Sequence, residues 1–491
     1  MIKLKKIKYD DFINKFNGKD KEKIKSFFNK LDRNIDINKK DKRRIITDFE
    51  NYILYFKDYE SISKIIKKID DYSYKKSRDW YPLDNSSKIY PLSMQEDWMS
   101  IYRLSYYMND DVNPIVLQIA LLFTMNRFPL FRTSVHKGFF NNYLDTVNKR
   151  FNVKEENKTP CSKINISKFN TQLFRVIYYG KRISCEFFHL ISDATGGMVF
   201  LTTLVNEYLR LLGKNVSYNE FALNPKDKPN KEELTDAFEN NKTHEKGGSL
   251  VEDKALEIDG RLSVIRPCQV LHFDLDLNKV HKLAKENDVT INELLLTFLF
   301  LVLSYSTSKN GFIKIQVPIN LRKYYHTKTL RNYSLYTTIS MKKSSIKDFD
   351  GVLTEVKRQS RENITKEKLD KQASRAVNLV KNVTFIPLFI KRPIANFIYR
   401  VFGDKSSTTV LSNLGMINIP IEMQKEVDKV DFVLGTNLTN RILFSVISIN
   451  NTLTLSLSKF TSNKSVDNNL YSLLKEHDLI TEIHGSDEYD S

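Results

Sequence analysis

The sequence predicts an α+β fold built from more than one domain. The chain has 491 residues, well above the ~250–300 residues at which a single hydrophobic core usually stops growing. Hydrophobic residues make up 41% of it and aromatic residues 12%, which is enough for a packed interior. Segments of helical and strand character alternate in both halves without a regular β-α-β repeat, and this favours layered α+β lobes over a doubly wound sheet.

Residues 1–78 are predicted to form a basic, helical N-terminal extension. Ile45, Phe49, Tyr52, Ile53 and Phe56 recur at intervals of three and four residues, which predicts an amphipathic helix. Residues 1–76 contain 22 Lys and Arg against 13 Asp and Glu, so 22 − 13 gives +9, half of the net charge of +18. We expect a helical cap with solvated lysines, and keep peripheral membrane contact through this segment as an alternative.

Residues 79–213 are predicted to form the N-terminal lobe. A helix is expected over residues 111–127, with Asp111 or Asn113 as its cap. Strands are expected at 133–144, 173–179 and 183–188. A second helix, 198–212, follows two glycines and ends at Gly213.

Residues 214–262 are polar and contain several Pro and Gly residues, so we interpret them as a crossover linker. Residues 263–491 then form the C-terminal lobe. Its predicted helices are 278–287 and the apolar helix 291–305, which Thr290 caps. Its predicted strands are 270–275, 312–318, 408–411, 430–434, 442–449 and 453–457.

The basic charge does not by itself indicate nucleic-acid binding. Half of it lies in the extension, and the chain has no zinc-finger spacing, RNA-binding aromatic motif or Gly-rich phosphate loop. The cysteines Cys161, Cys185 and Cys268 show neither disulfide nor metal-ligand spacing. The N-terminus has no signal-like apolar run, and the longest apolar stretch, 294–303, is about half a bilayer span. We therefore expect a cytoplasmic protein without bound metal, and the sequence indicates no particular oligomeric state.

His189 is the candidate reactive residue. It ends an apolar strand and precedes a Gly-containing turn into a helix, a position where reacting groups are often mounted. An imidazole there can take a proton from a hydroxyl or amine near neutral pH. Asp193, four residues on, can hold the turn behind it when an Arg pairs with it. Such a spacing alone favours an ordinary histidine bonded to a loop carbonyl, so the neighbouring segments decide between the two interpretations.

The segment Phe187–Gly197 resembles the His-His-x-x-x-Asp-Gly signature of the CoA-dependent acyltransferase superfamily. That superfamily includes chloramphenicol acetyltransferase, peptide-synthetase condensation domains and alcohol acetyltransferases. Further segments resemble it in the same order along the chain: Tyr81–Asn85, Lys88–Pro91, Phe128–Arg132, Val289–Leu295, Val317–Arg322, Arg331–Tyr333 and Ser412–Gly415. The resemblance covers residues 80–460 approximately.

Two positions depart from the signature. Phe188 stands where the first His would be, and an aromatic residue there points to the alcohol acetyltransferase-like branch. Ala194 stands where the Gly after the Asp would be, which bears on access to the site and on the level of activity.

The resemblance implies a two-lobed V of chloramphenicol-acetyltransferase-like α/β sandwich lobes, with the active site in a tunnel between them. His189 would be the general base for direct transfer of an acyl group, acetyl in the first instance, from CoA to a hydroxyl or amine, without an acyl-enzyme. Acyl-CoA would be a cosubstrate, no cofactor would be bound permanently, and the acceptor would be small or lipid-like.

The resemblance also assigns roles around His189. Asp193 would be structural and paired with Arg322, with Arg132 as the reserve partner, and Gly196 and Gly197 would shape the turn. Ser412 and Asn413 are candidates to donate to the developing oxyanion; an ordinary turn after the strand at 408–411 is an equal alternative.

Other functions remain open from the sequence. A condensation-type enzyme that uses carrier-protein thioesters is one alternative, although the chain lacks a carrier motif. A degenerate scaffold that binds acyl-CoA without turnover is another, motivated by Phe188 and Ala194. The aromatic and basic stretch Phe385–Phe402 is interpreted as a helix pair that caps the second lobe, or as a hydrophobic rim for a lipid-like acceptor.

Overall fold

The computed structural model describes residues 9–88, 90, 99–166, 170–240, 254–391, 393, 407–436 and 440–486. The helices are α1 (Tyr9–Ile13), α2 (Gly18–Asn34), α3 (Lys39–Phe56), α4 (Ile62–Ile69), α5 (Pro114–Arg127), α6 (Ala194–Leu212), α7 (Leu277–Glu286), α8 (Ile291–Tyr305), α9 (Phe349–Asn363), α10 (Lys366–Thr384), α11 (Ile421–Gln424) and α12 (Ser465–Glu476). The strands are β1 (Trp80–Pro82), β2 (Ile101–Met108), β3 (Thr133–Lys137), β4 (Asn142–Thr146), β5 (Val153–Glu155), β6 (Phe174–Tyr179), β7 (Arg182–Phe188), β8 (Gln269–Asp276), β9 (Phe312–Asn320), β10 (Ser334–Lys342), β11 (Thr409–Met416), β12 (Val427–Leu434), β13 (Ile442–Ile449), β14 (Thr452–Lys459) and β15 (Ile480–Gly485).

The N-terminal lobe is built on a five-stranded sheet in the order β12-β2-β7-β6-β5. Helices α5 and α6 pack against each other, and α6 also packs against β2 and β7. The side chain of Asn113 caps α5 by accepting the N–H groups of Ile115 and Val116. Gly213 adopts a left-handed φ of 93° and ends α6. The predicted strand at 133–144 is instead a hairpin, because residues 138–141 form a turn between β3 and β4.

The C-terminal lobe is built on a seven-stranded sheet in the order β10-β9-β11-β13-β14-β8-β15. Helix α8 is buried along nearly its whole length and packs between α9 and α12. Its start carries a complete capping box, since Thr290 and Glu293 each satisfy a backbone N–H of the other. Of the described residues, no single helix passes the length and hydropathy test for a membrane span; the bent pair α7 and α8, at 88° to each other, passes it together.

One strand of the second half completes the sheet of the first half. β12 pairs antiparallel with β2 along its length, from Val427 opposite Met108 to Leu434 opposite Tyr102. It also packs against β13 and β14 of the seven-stranded sheet. The two lobes are therefore joined through regular secondary structure. The predicted linker at 214–262 did not indicate that β12, from the second half of the chain, lies in the interface between the lobes.

The N-terminal extension is part of the main hydrophobic core. Phe49 and Phe123, from α3 and α5, both contact the ring of Tyr72, with ring centres 5.2 Å apart in each case. The Tyr52 hydroxyl donates to the Leu211 carbonyl at the end of α6. A buried ion pair joins Asp48 to Arg150. These contacts lock the helical extension onto the N-terminal lobe.

The structure describes only residues 385–391 and 393 of the stretch Phe385–Phe402, so the predicted helix pair lies largely outside the described residues. The side chains of Phe385 and Phe389 are 81% and 70% exposed. The Lys391 ammonium donates to Phe140 O and Asn141 Oδ1 at the tip of the β3–β4 hairpin. Phe139 and Phe140 at that tip are 67% and 42% exposed, so both contacting segments carry exposed aromatic residues.

Candidate active site

His189 is the first residue after β7 and is held at that position by its backbone. Its N–H donates to the Ser100 carbonyl just before β2, at 2.8 Å. The imidazole stacks on the Tyr90 ring, with centres 4.9 Å apart and planes 29° apart. The Tyr102 ring meets it edge-on at 5.3 Å. Two aromatic rings thus restrict the orientation of the imidazole.

The surroundings of His189 favour its neutral form. Burial lowers the pKa of the imidazole below its usual value of 6.5, although the Asp193 carboxylate and hydrogen-bonding interactions with its own backbone and with Asn332 oppose that effect. The side chain is still partly accessible, while its Nδ1 atom is buried. At neutral pH the ring is therefore an unprotonated base whose accessible part lies away from Nδ1.

Asp193 is turned away from the imidazole and into the protein. Its Oδ1 accepts the Gly196 N–H at 3.0 Å, which makes Asp193 the cap of α6. Its Oδ2 accepts the Tyr333 N–H at 2.9 Å and the Arg322 guanidinium at 2.8 Å. Because both oxygens are occupied in this way, Asp193 orders the turn that carries His189.

Arg322 is the guanidinium that the structure places against Asp193. It also donates to the carbonyls of Thr329 and Arg331 at 2.9 and 2.5 Å. It therefore ties the loop between β9 and β10 of the C-terminal lobe to the His189 turn of the N-terminal lobe. Arg132, the reserve partner, lies elsewhere, with its guanidinium 4.4 Å from the centre of the Tyr74 ring and bonded to the Lys75 carbonyl.

Two glycines allow close packing behind His189, Gly196 against the C-terminal lobe and Gly197 against β2 of its own lobe. A Cβ on Gly196 would lie 2.2 Å from Leu330 O and 2.2 Å from Ser192 Oγ, and a Cβ on Gly197 would lie 2.5 Å from the Tyr102 hydroxyl. These distances are too short for any side chain, so both positions require glycine. Ala194, by contrast, begins α6 as an ordinary first-turn residue.

Ser412 and Asn413 lie within β11, which continues to Met416. The alternative interpretation from the sequence, a turn directly after residues 408–411, is therefore wrong. Ser412 pairs with Ser445 of β13. Asn413 Nδ2 lies 3.4 Å from Asn292 Oδ1 at the start of α8, and Asn413 Oδ1 accepts the Gly415 N–H. These contacts hold Asn413 in the C-terminal lobe, and its role toward an oxyanion stays a prediction.

Sequence reasoning gave no role to several residues around His189. Tyr90 and Tyr102 enclose its ring, and Asn332 interacts with it. Tyr336 is 43% exposed, yet burial raises the pKa of its hydroxyl, which interacts with Tyr90. The only sequence signal for these residues is that Tyr90 and Asn332 fall inside segments that resemble the superfamily.

A second buried polar region lies between the sheets of the two lobes. His272 of β8 is 3% exposed, with Nδ1 2.8 Å from Ser456 Oγ and Nε2 3.8 Å from Asp431 of β12. Its ring stacks on His484 of β15, with centres 4.8 Å apart. Burial lowers the pKa of His272 to about 4. This histidine is a structural element of the lobe interface.

Among the described residues, no group of three His, Cys, Asp or Glu side chains is arranged to hold a metal ion. The cysteines are free and buried, and burial raises the pKa of the Cys161 and Cys185 thiols. Among the described residues, His189 with its supporting residues remains the candidate reactive group.

No protein-family model matches the sequence, and no curated protein matches it. Solved structures do match its fold. TRI101 of F. graminearum complexed with ethyl coenzyme A superposes with a TM-score of 0.55 at 10% identity, over 81% of this chain and 97% of that one. The trichothecene 15-O-acetyltransferase TRI3 of Fusarium sporotrichioides gives 0.54 at 11% identity, over 81% and 94%. The epimerization domain of tyrocidine synthetase B gives 0.54 at 12% identity, over 82% and 95%.

The chain thus has the two-lobed, chloramphenicol-acetyltransferase-like fold of the CoA-dependent acyltransferases and peptide-synthetase condensation domains. The fold class predicted from the sequence is confirmed. At 10–12% identity these structures establish the fold alone, so any activity has to be argued from the site.

Proposed function

We propose that the protein is an acyltransferase that moves an acyl group from coenzyme A to a hydroxyl or amine acceptor. The observation that carries this proposal is the arrangement of His189, a neutral and partly accessible imidazole whose turn is held by Asp193, itself bonded to Arg322 across the lobes. The fold supports the same class of reaction, since TRI3 is an acetyltransferase and TRI101 has been solved with coenzyme A and T-2 mycotoxin.

The reaction requires one base and one site for negative charge. His189 takes the proton of the acceptor O–H or N–H as that atom attacks the thioester carbonyl carbon. The carbonyl oxygen becomes negative, and the Ser412 hydroxyl and Asn413 amide are the candidate donors to it. Collapse of the intermediate breaks the C–S bond, and the imidazolium returns its proton to the departing thiolate. Such base catalysis contributes about 10²–10⁴-fold in rate.

The test is release of free thiol by the full chain from acetyl-, octanoyl- and palmitoyl-CoA, each with a mixture of alcohols and amines. Acyl transfer is then verified by the mass of the acylated acceptor. We expect transfer with at least one donor and a loss of about 100-fold or more in the His189→Ala variant. His281→Ala is the matched control, because His281 is exposed on α7.

Three outcomes separate the competing functions. Full activity in His189→Ala would remove the role of His189. Turnover of carrier-protein thioesters but not of CoA esters would favour a condensation-type enzyme, consistent with the fold shared with the tyrocidine synthetase domain. Binding of acyl-CoA without any turnover would identify a degenerate scaffold.

A further inference from the structure

A network of buried polar side chains reaches the His189 turn. Asp84, Ser87 and Asn332 are 0%, 0% and 1% exposed. Asn332 Nδ2 lies 2.9 Å from Ser87 Oγ and 3.4 Å from Asp84 Oδ2, so the network joins the segment after β1 to the loop before β10. Ser87 Oγ in turn donates to the carbonyl of Leu190, the residue after His189.

The partners of Asn332 fix which way its amide points. Ser87 has one hydroxyl proton, and the Leu190 carbonyl, which can only accept, takes it. Ser87 Oγ can therefore only accept from Asn332, and the Asp84 carboxylate, which already accepts the Ser87 N–H, also only accepts. The amide nitrogen of Asn332 must face these two oxygens, so its carbonyl oxygen Oδ1 faces the other way.

Within the described part of the chain, two buried polar atoms near this network have no hydrogen-bond partner at ordinary distance and angle. One is Asn332 Oδ1 and the other is His189 Nδ1. A buried acceptor and a buried ring nitrogen without partners are each costly. The two side chains do interact, because Asn332 raises the pKa of the imidazole against the larger, opposing effect of burial.

We infer that Asn332 is a positioning residue whose Oδ1 accepts a hydrogen bond from His189 Nδ1–H and thereby fixes the tautomer of the imidazole. With the proton on Nδ1, the lone pair is on Nε2, the nitrogen at the opposite side of the ring from the buried Nδ1. The backbone carbonyl of His189 favours the same tautomer. Asp84 and Ser87 act one step further away, because they hold the Asn332 amide in the required orientation.

The structural part of this inference does not depend on any activity, whereas its catalytic consequence rests on the proposed function. If His189 is the base, Asn332 ensures that the nitrogen directed to the acceptor is the unprotonated one. It also keeps the pKa of His189 higher than burial alone would set it, which increases the basicity of Nε2.

The tautomer can be read directly by NMR of the full chain labelled with ¹⁵N-histidine. The chain has eight histidines, and the His189 signals are those that disappear in His189→Gln. We expect a protonated Nδ1 and an unprotonated Nε2 in the wild type above its pKa. A protonated Nε2 would overturn the inference, and this measurement needs no variant of Asn332 to fold.

Substitution of Asn332 then tests its role. In Asn332→Ala we expect a mixture of tautomers, a lower pKa of His189 and about a tenfold lower kcat, the size of effect that one hydrogen bond supplies. Asn206→Ala is the matched control, since Asn206 is 0% exposed and also has a buried Oδ1 without a partner, but lies on α6 and bonds Ser217 O. The control should leave the His189 tautomer and pKa unchanged.

The outcomes distinguish this inference from the proposed function. An unchanged tautomer and pKa in a folded Asn332→Ala variant would exclude the positioning role whether or not the protein transfers acyl groups. The expected NMR result, together with no acyl transfer by the wild type, would support the hydrogen bond and remove the proposed function. If Asn332→Ala does not fold, Ser87→Ala, which frees the amide to rotate, should produce the same mixture of tautomers, and a single Nδ1–H tautomer there would contradict the orientation argument.

Discussion

Burial lowers the pKa values of both His189 and His272, yet the surroundings of the two histidines differ. Both ring nitrogens of His272 face polar side chains, Ser456 at 2.8 Å and Asp431 at 3.8 Å, and its ring is covered by His484. His189 is partly accessible, and its ring stacks on Tyr90. A lowered pKa is thus common to both, and it does not by itself identify a base.

The difference lies in what holds each ring. His272 sits between two sheets, where β8, β12, β14 and β15 surround it with regular hydrogen-bonding structure. His189 follows a strand end, and its turn is held by loops from both lobes through Asp193 and Arg322. A catalytic imidazole needs one accessible edge and support from residues outside its own segment. The surroundings of His189 provide both.

The largest effect is expected from Arg322→Ala, which leaves the buried Asp193 carboxylate without its guanidinium. Breaking one side of a buried ion pair costs about 3–5 kcal/mol, measured as the free energy of unfolding in urea. Arg358→Ala is the matched control, because Arg358 pairs with Glu355 and Glu362 on the exposed face of α9, and it should leave the free energy of unfolding nearly unchanged. Equal losses in the two variants would contradict the scaffold role of Arg322.

A smaller and pH-dependent effect is expected from His272→Gln. The folded pKa of about 4 lies below the unfolded value of 6.5, so the unfolded chain binds the proton first and stability is lost as pH falls from 6.5 through 4. The loss is up to about 3 kcal/mol, at about 1.4 kcal/mol per pKa unit. Unfolding of the variant at pH 7 and pH 4 should show a reduced acid sensitivity.

The same variant also tests the comparison with His189. Acyl transfer at pH 7 should remain within about threefold of wild type in His272→Gln, since Gln can still bond Ser456 and His272 contacts no part of the His189 turn among the described residues. A loss as large as that expected for His189→Ala would mean that the lobe interface, and not the turn, controls the reaction.

The sequence predicted much of the His189 turn, because those residues act close to their own chain neighbours. Asp193 was expected to hold the turn behind His189, and it does so as the cap of α6, which begins at Ala194 and not at the predicted residue 198. The pairing of Arg322 with Asp193, which is distant in the chain, came from the family resemblance, and the structure places the two side chains 2.8 Å apart.

The residues that the sequence did not predict depend on distant parts of the chain. Asn332 lies about 140 positions from His189, and no local pattern tells which way its amide points. The stacking of His272 on His484 requires β15 to pair with β8, and β12 crosses between lobes. Such pairings are set by tertiary packing, for which the periodicity of a single segment carries no signal.

The most direct test of the central claim is the pH dependence of kcat/KM for acyl transfer, which reports the essential base of the free enzyme. We expect activity to fall on the acid side with an apparent pKa below 6.5, since burial lowers the pKa of His189, and this acid limb to be unchanged in His272→Gln. An acid limb at or above 6.5, or one that moves with His272, would contradict the assignment of His189 as the base.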